Sequence, residues 1–305
     1  MELGLPFAIG AAVVWGVYIF VLKRSFSGYP PAGLTVLINA AAIAWFLPVT
    51  VATTDLGGAT LASDPLGAPE RVARSLATVD PQAVAVVAGT ATATAVAFVL
   101  FLRAIAGGDV SYVTPINKVV PMFVLPLEVL LLGEVLAPVQ VAGVVVATAA
   151  VYVANYEPGS LLAPLVSAVH SRPAQLALVS AACYAVSDLG KRVALQELAI
   201  PGTLWVPLLL AGAGLVLLPA AVRTPPAVTR ADAPKFLAAG ALVALGEHLT
   251  TVAFASLPAS VASPVINTQA IVAVVLGGVV LGERYFRVRL VAALLAVVGV
   301  GMIAL

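Results

Sequence analysis

The sequence predicts an all-α integral membrane protein: ten transmembrane helices arranged as two inverted five-helix repeats around a central cavity. Three observations carry that expectation. The 305 residues are 62% hydrophobic and only 10% charged, with a mean hydropathy of +1.11. A soluble chain carries about 25% charged residues, and a soluble domain of this length must present a polar exterior. Soluble enzymes, disordered proteins and nucleic-acid binders are thereby excluded. Apolar stretches of about 20 residues, each long enough to cross a bilayer, recur between short polar breaks. Finally, the chain repeats itself.

Read by apolar length and by breaks at charge, Pro and Gly, the spans cover 3–22, 32–53, 82–103, 110–132, 138–156, 174–194, 202–222, 235–256, 259–282 and 288–305. Met1–Pro6 contains Glu2 and no Lys or Arg. The basic start of a signal peptide is missing, so the first stretch is expected to stay as a span. The one long connection, 54–81, holds Gly57, Gly58, Pro65, Pro69, Asp55, Asp64, Glu70, Arg71, Arg74 and Asp80. It reads as a polar loop with a short surface helix near 69–78. The single cysteine, Cys183, permits no intrachain disulfide.

The repeat shows in matched landmarks. Ser111 and Pro115 open one span, Ser260 and Pro264 another, and eighteen residues past each Pro stands Gly-Glu, at Gly133-Glu134 and Gly282-Glu283. All these pairs are 149 apart. Trp15 and Lys23 match Tyr184 and Arg192 at an offset of 169. The difference of 20 falls in the long 54–81 loop. The expected units are 1–157 and 172–305. Five spans per unit force opposite orientations, the arrangement that places a site at the midplane and permits alternating access.

The Pro-containing span closing in Gly133-Glu134, followed by Pro138 through Gly143, resembles the signature of the EamA-type family of the drug/metabolite transporter superfamily. So do Pro264 through Arg284 and the Trp15-Gly16 element. The first copy departs from the second, with Val135 in place of a basic residue after Gly-Glu. The resemblance covers essentially the whole chain. It implies two five-helix bundles around a cavity, carriage of small metabolites and cytoplasmic termini. Substrates across the superfamily include amino acids, sugar phosphates, nucleotide sugars and lipophilic cations. The Gly-Glu pairs themselves read as structural, since a carboxylate at a span end reaches interfacial water or caps the next helix.

An ionisable group at the bilayer centre costs about 2.5–3.5 kcal/mol on insertion scales and so faces a cavity or a partner. Lys118, beside Asn117, is near the middle of span 4. Pro121 there frees the carbonyl of Asn117. Glu247 and His248 are central in span 8. Asp188 and Lys191, three apart on span 6, have salt-bridge spacing. Trp15 and Tyr18 share a face of span 1, and Asn267 with Gln269 offers uncharged hydrogen bonds in span 9. Glu247 is expected to be a protonatable coupling group or the counter-ion of Lys118. Static ion pairing and ordinary packing are the competing explanations for each of these residues. Gly278 and Gly282 form a GxxxG pattern that allows close helix approach.

A secondary-active carrier for a small polar or amphipathic metabolite follows, an exporter or exchanger, with an amino-acid-like zwitterion favoured if Lys118 and Glu247 neutralise each other. Anionic and lipophilic cationic substrates, and a non-transporting scaffold or sensor, are the alternatives. No phosphate-binding GxxxxGK[ST] loop is present. No cofactor is expected, and proton coupling or substrate exchange would supply the drive. No catalytic motif argues for an enzyme. The partners expected are the bilayer and a small solute, with monomer and homodimer both open. Loops after odd-numbered spans hold ten Lys and Arg: Lys23, Arg24, Arg103, Arg172, Arg223, Arg230, Lys235, Arg284, Arg287 and Arg289. The other side holds Arg71, Arg74, Lys191 and Arg192. The positive-inside rule then puts both termini outside, opposite to what the resemblance implies.

Overall fold

The computed structural model describes residues 4–53, 63, 80–132, 137–154, 170–257, 259–283 and 285–303. The surface helix expected near 69–78, and Glu134 of the first Gly-Glu pair, lie outside the described residues. The helices are α1 (Gly4–Phe26), α2 (Pro31–Thr53), α3 (Pro81–Gly107), α4 (Val110–Asn117), α5 (Val120–Leu132), α6 (Pro138–Ala154), α7 (Arg172–Arg192), α8 (Gly202–Arg223), α9 (Ala233–Ser256), α10 (Ala259–Asn267), α11 (Gln269–Val280) and α12 (Phe286–Ile303). Helices α4 and α5 make one pass and α10 and α11 another, so the twelve α-helices among the described residues form ten passes. Among the described residues, six stretches are long and apolar enough to cross a membrane by length and composition, among them α1, α2, α3 and α8.

The outer surface is apolar and the polar groups are inside. Ile9, Val13, Leu47, Leu130, Leu215, Val222, Val279 and Val298 are exposed, whereas Lys118, Asp188, Lys191, Glu247, Asn267 and Gln269 are buried. Water would not tolerate so large an apolar surface, but lipid chains do. With no hydrophobic force between helices in lipid, packing rests on small residues and interhelical hydrogen bonds. Helix α7 packs against α3 and buries Ala174, Ala177, Ala181 and Ala185, the last two against Val120 and Val124 of α5. Ser180 of α7 donates to the Ala97 carbonyl of α3 at 2.6 Å. Asn39 of α2 donates to the Leu210 carbonyl of α8 at 3.0 Å.

The pairings obey the repeat. Helix α1 packs on α9, as α7 packs on α3; α2 pairs with α8 and α6 with α12. Each half therefore embraces the other, and the contacts map onto one another when the halves are exchanged.

Spans 4 and 9 break at equivalent points. Span 4 breaks at Lys118 and Val119, and span 9 at Thr268. The first break is more complete than a kink at Pro121 would make it. Pro121 falls in the first turn of α5, where its missing N–H has no partner to lose. The second break has no such proline; position 270 is Ala. Here the Thr268 hydroxyl donates to the Val265 carbonyl at 2.7 Å, and the Ile271 amide turns to the Thr268 carbonyl. Two different local chemistries produce the same discontinuity.

The Gly-Glu pair of the second half has a role the sequence described only in part. Gly282 ends α11 in the left-handed region, at φ 66°, which favours glycine. Glu283 does not cap the next helix, α12. It reaches across to the other half, where Oε1 accepts from the Val110 amide and Oε2 from the Ser111 amide, each at 2.8 Å. Asp109, the residue preceding α4, makes no side-chain cap of its own. Its carboxylate instead accepts from Arg289 of α12 at 2.6 Å, and the same guanidinium donates to the Ser111 hydroxyl. The positive end of α4 is thus held by a carboxylate from the opposite repeat.

Replacing Glu283 by Ala leaves two α4 amides without their acceptor. Loss of a cap costs about 0.5–2 kcal/mol, so the variant should unfold several degrees lower in detergent thermal scans. Glu283→Gln, which keeps one acceptor oxygen, should fall between. An unchanged melting profile for Glu283→Ala would remove this cap from the fold's stability.

Candidate functional site

Between the halves lies a cavity of about 110 Å³, room for a small solute, since one water needs roughly 10–15 Å³ by the same measure. It sits between two apolar clusters. One, near the loops after odd-numbered spans, includes Leu22, Phe26, Ile105 and Phe236. The other, at the opposite end, includes Leu195, Trp205, Phe254 and Leu257. Seven of the nine candidate residues line the cavity: Trp15, Tyr18, Lys118, Asp188, Glu247, Asn267 and Gln269. Asn117 and His248 do not. Asn117 turns away to donate to the Ala177 carbonyl and the Ser180 hydroxyl. His248 is half-buried against the Phe46 ring, 5.5 Å between centroids.

The broken spans explain why Lys118 and Asn267 face the cavity. They occupy equivalent positions at the two breaks, 149 residues apart, each at the C-terminal end of a short helix. Lys118 caps the C-terminus of α4, where the helix dipole favours a cation. Its ammonium lies over the rings of Phe101, 5.3 Å from the centroid, and Tyr184, 5.0 Å. It joins no ion pair among the described residues.

The ion pairing inside the cavity differs from the expected one. Glu247 faces Lys191, not Lys118, with Oε2 at 3.9 Å from Nζ. The same Nζ stands 4.0 Å from Asp188 Oδ1. Lys191 therefore bridges two carboxylates on α7 and α9, and belongs to the cavity rather than to a loop. Ser263 donates to Asp188 Oδ2 at 3.0 Å. Asn267 donates to the Ser263 carbonyl at 2.8 Å and lies 3.2 Å from its hydroxyl. A continuous polar chain runs from Asn267 through Ser263, Asp188 and Lys191 to Glu247, all from the second half. The equivalents of Asp188, Lys191 and Glu247 in the first half are Ile19, Leu22 and Phe98. The repeat did not dictate these charges.

The other wall is aromatic. Trp15 meets Tyr18 edge-on at 5.6 Å, and Tyr18 stacks on Phe98 at 6.1 Å. The Trp15 indole donates to the Thr250 hydroxyl at 2.9 Å. Gly246 makes this possible: a Cβ there would come within 2.9 Å of the Trp15 ring. Among the described residues, the Tyr18 hydroxyl is buried without a hydrogen-bond partner, and Glu247 Oε2 has only its long contact to Lys191. Buried polar atoms left in this state cost about 1–3 kcal/mol each, so both favour a polar guest in the cavity.

Sequence reasoning missed Thr250, Ser263 and Tyr184 as cavity-lining residues, and read Lys191 as the partner of Asp188 and as one of the basic residues outside the spans. Tyr184 carried a signal, since it is the repeat counterpart of Trp15. Thr250 lies one helical turn from Glu247. Ser263 carried one too, as the residue before Pro264 and the equivalent of Thr114.

A bundle of broken helices around a polar cavity, with lipid-facing flanks, defines a membrane carrier. The EamA-like transporter family model matches residues 2–156 and again 172–305, so the chain belongs to that family of transporters and is not an enzyme. A solved structure described as "Crystal structure of protein" shares the fold, with a TM-score of 0.65 at 18% identity over 99% of this chain and 96% of that one. No curated protein matches the chain.

Removing Lys191 strands two buried carboxylates. Lys191→Met should destabilise the protein by about 3–5 kcal/mol, the usual result of breaking a buried pair. Adding Glu247→Gln to Lys191→Met should recover much of the loss in detergent unfolding. If the double variant is no more stable than the single, Lys191 and Glu247 are not coupled.

Proposed function

We propose that this transporter is a secondary-active carrier of a small zwitterionic metabolite, such as an amino acid, working as an exporter or exchanger by alternating access. The observation that carries the reading is the charge balance of the cavity. Lys118 and Lys191 face Asp188 and Glu247, so the formal sum is zero, but the charges are segregated. Three form a linked set, and Lys118 stands apart over aromatic rings. A zwitterion matches this pattern. Its carboxylate meets Lys118, and its ammonium competes with Lys191 for Asp188 or Glu247. The aromatic wall accommodates an apolar side chain. Binding that loosens the Lys191 contacts also supplies differential affinity between carrier states, without which a ligand shifts no equilibrium.

Lys118 and Lys191 should then separate in their effects. Lys118→Ala should abolish amino-acid flux in proteoliposomes while keeping expression and monodispersity, since no ion pair is broken. Unchanged flux would exclude Lys118 from the site. A panel of amino acids, sugar phosphates and lipophilic cations distinguishes the alternatives, and flux of none of them would favour a non-transporting role. Glu247→Gln should flatten the pH dependence of flux if Glu247, which shares Lys191 with Asp188, carries the coupling proton; a preserved pH profile counts against it.

With Lys191 in the cavity, the loop asymmetry becomes ten basic residues against three, Arg71, Arg74 and Arg192. This supports termini on the extracytoplasmic side. A reporter that is active only outside the cytoplasm, fused after Leu305, should therefore be active. A silent but stable fusion reverses the orientation.

A further inference from the structure

A second, larger cavity of about 730 Å³ lies at the end of the molecule bearing the loops after odd-numbered spans, between the ends of α1, α2, α3 and α7. Three cations line it: Lys23, Arg103 and Arg172. Apart from Ser27 and Tyr29 its remaining wall is apolar, with Phe26, Leu102 and Leu176 among the lining side chains. Lys23 is committed to the fold, since its ammonium donates to the Ile105 and Gly108 carbonyls at the end of α3. Arg103 and Arg172 are exposed and make no hydrogen bond or ion pair among the described residues. The fold does not require them either. At the repeat offsets, Arg103 corresponds to Val252 and Arg172 to Leu3. Neither charge is repeated at the corresponding position of the other half.

We infer that this cavity is a binding site for an anionic phospholipid. Two unengaged guanidiniums suit a phosphate that carries no neutralising ammonium, because the planar fork donates two parallel hydrogen bonds to phosphate oxygens. The apolar wall takes the upper part of an acyl chain. The position, at helix ends where the headgroups of a bilayer lie, brings such a lipid to the site without leaving its leaflet, and basic pockets between transmembrane helices are suited to it. The inference is independent of which substrate occupies the central cavity.

The test is native mass spectrometry of the full chain in mild detergent, with phosphatidylglycerol, phosphatidylcholine or inorganic phosphate added singly. The wild-type protein should retain phosphatidylglycerol in preference to phosphatidylcholine. The Arg103→Gln/Arg172→Gln variant should lose roughly thirtyfold in that retention, from about a surface-charge increment per arginine. The Arg103→Lys/Arg172→Lys variant, which keeps both charges, should recover part of it and confirms that the Gln variant's loss is not misfolding. Equal retention of both lipids overturns the inference, as does undiminished phosphatidylglycerol binding by the Gln variant. Stoichiometric binding of inorganic phosphate that displaces the lipid also overturns it, because the site would then take a free anion.

Discussion

A charge in hydrocarbon must find its compensation within the protein, and this requirement organises the molecule. Four buried charges occupy one cavity, and each is answered differently. Lys191 stands between two carboxylates. Asp188 adds a hydroxyl from Ser263. Lys118 has two aromatic faces and the negative end of α4. The three linked charges all belong to the second repeat, and Lys118 of the first reaches across to it through the Tyr184 ring. Outside the cavity the same requirement disfavours such groups, and the exposed sides of the helices are largely aliphatic, with Trp45 among them.

The backbone faces the same demand at the two broken spans. Interrupting a helix in a membrane frees amides and carbonyls, and these must be met by protein or by a polar cavity. Both interruptions fall beside the central cavity, where polar side chains are at hand. The far end of α4 is met by Glu283. One short helix therefore has a carboxylate at its start and an ammonium at its end. Its eight residues would be too few to hold a helix alone.

Much of this was legible in the sequence. Apolar length located ten passes, and two independent offsets, 149 and 169, exposed the repeat. The rarity of charges in spans singled out Lys118, Asp188 and Glu247, because the cost of burying a charge is large enough to make every exception informative. What escaped was pairing in three dimensions. Sequence spacing linked Lys191 to Asp188 on one helix, but the approach of α9 that brings Glu247 to the same ammonium is a tertiary fact. Asn117 and His248 were expected in the site because they adjoin charged residues, yet neighbours on a helix point about 100° apart, and both face other helices. The break at Thr268 was hidden for a different reason. It depends on a hydroxyl turning to one carbonyl, and threonine does this in some helices and not in others.

The cap supplied by Glu283 also orders events in time. Val110 and Glu283 are separated by 173 residues. At synthesis rates of about 5–20 residues per second, α4 waits on the order of ten to thirty seconds for the carboxylate that completes its first turn. Until then the first half exists with an unfinished helix beside the future cavity. The last pair of passes is therefore the step that closes the architecture, and a chain stopped before residue 283 would leave the membrane holding a first half that cannot finish its own fold.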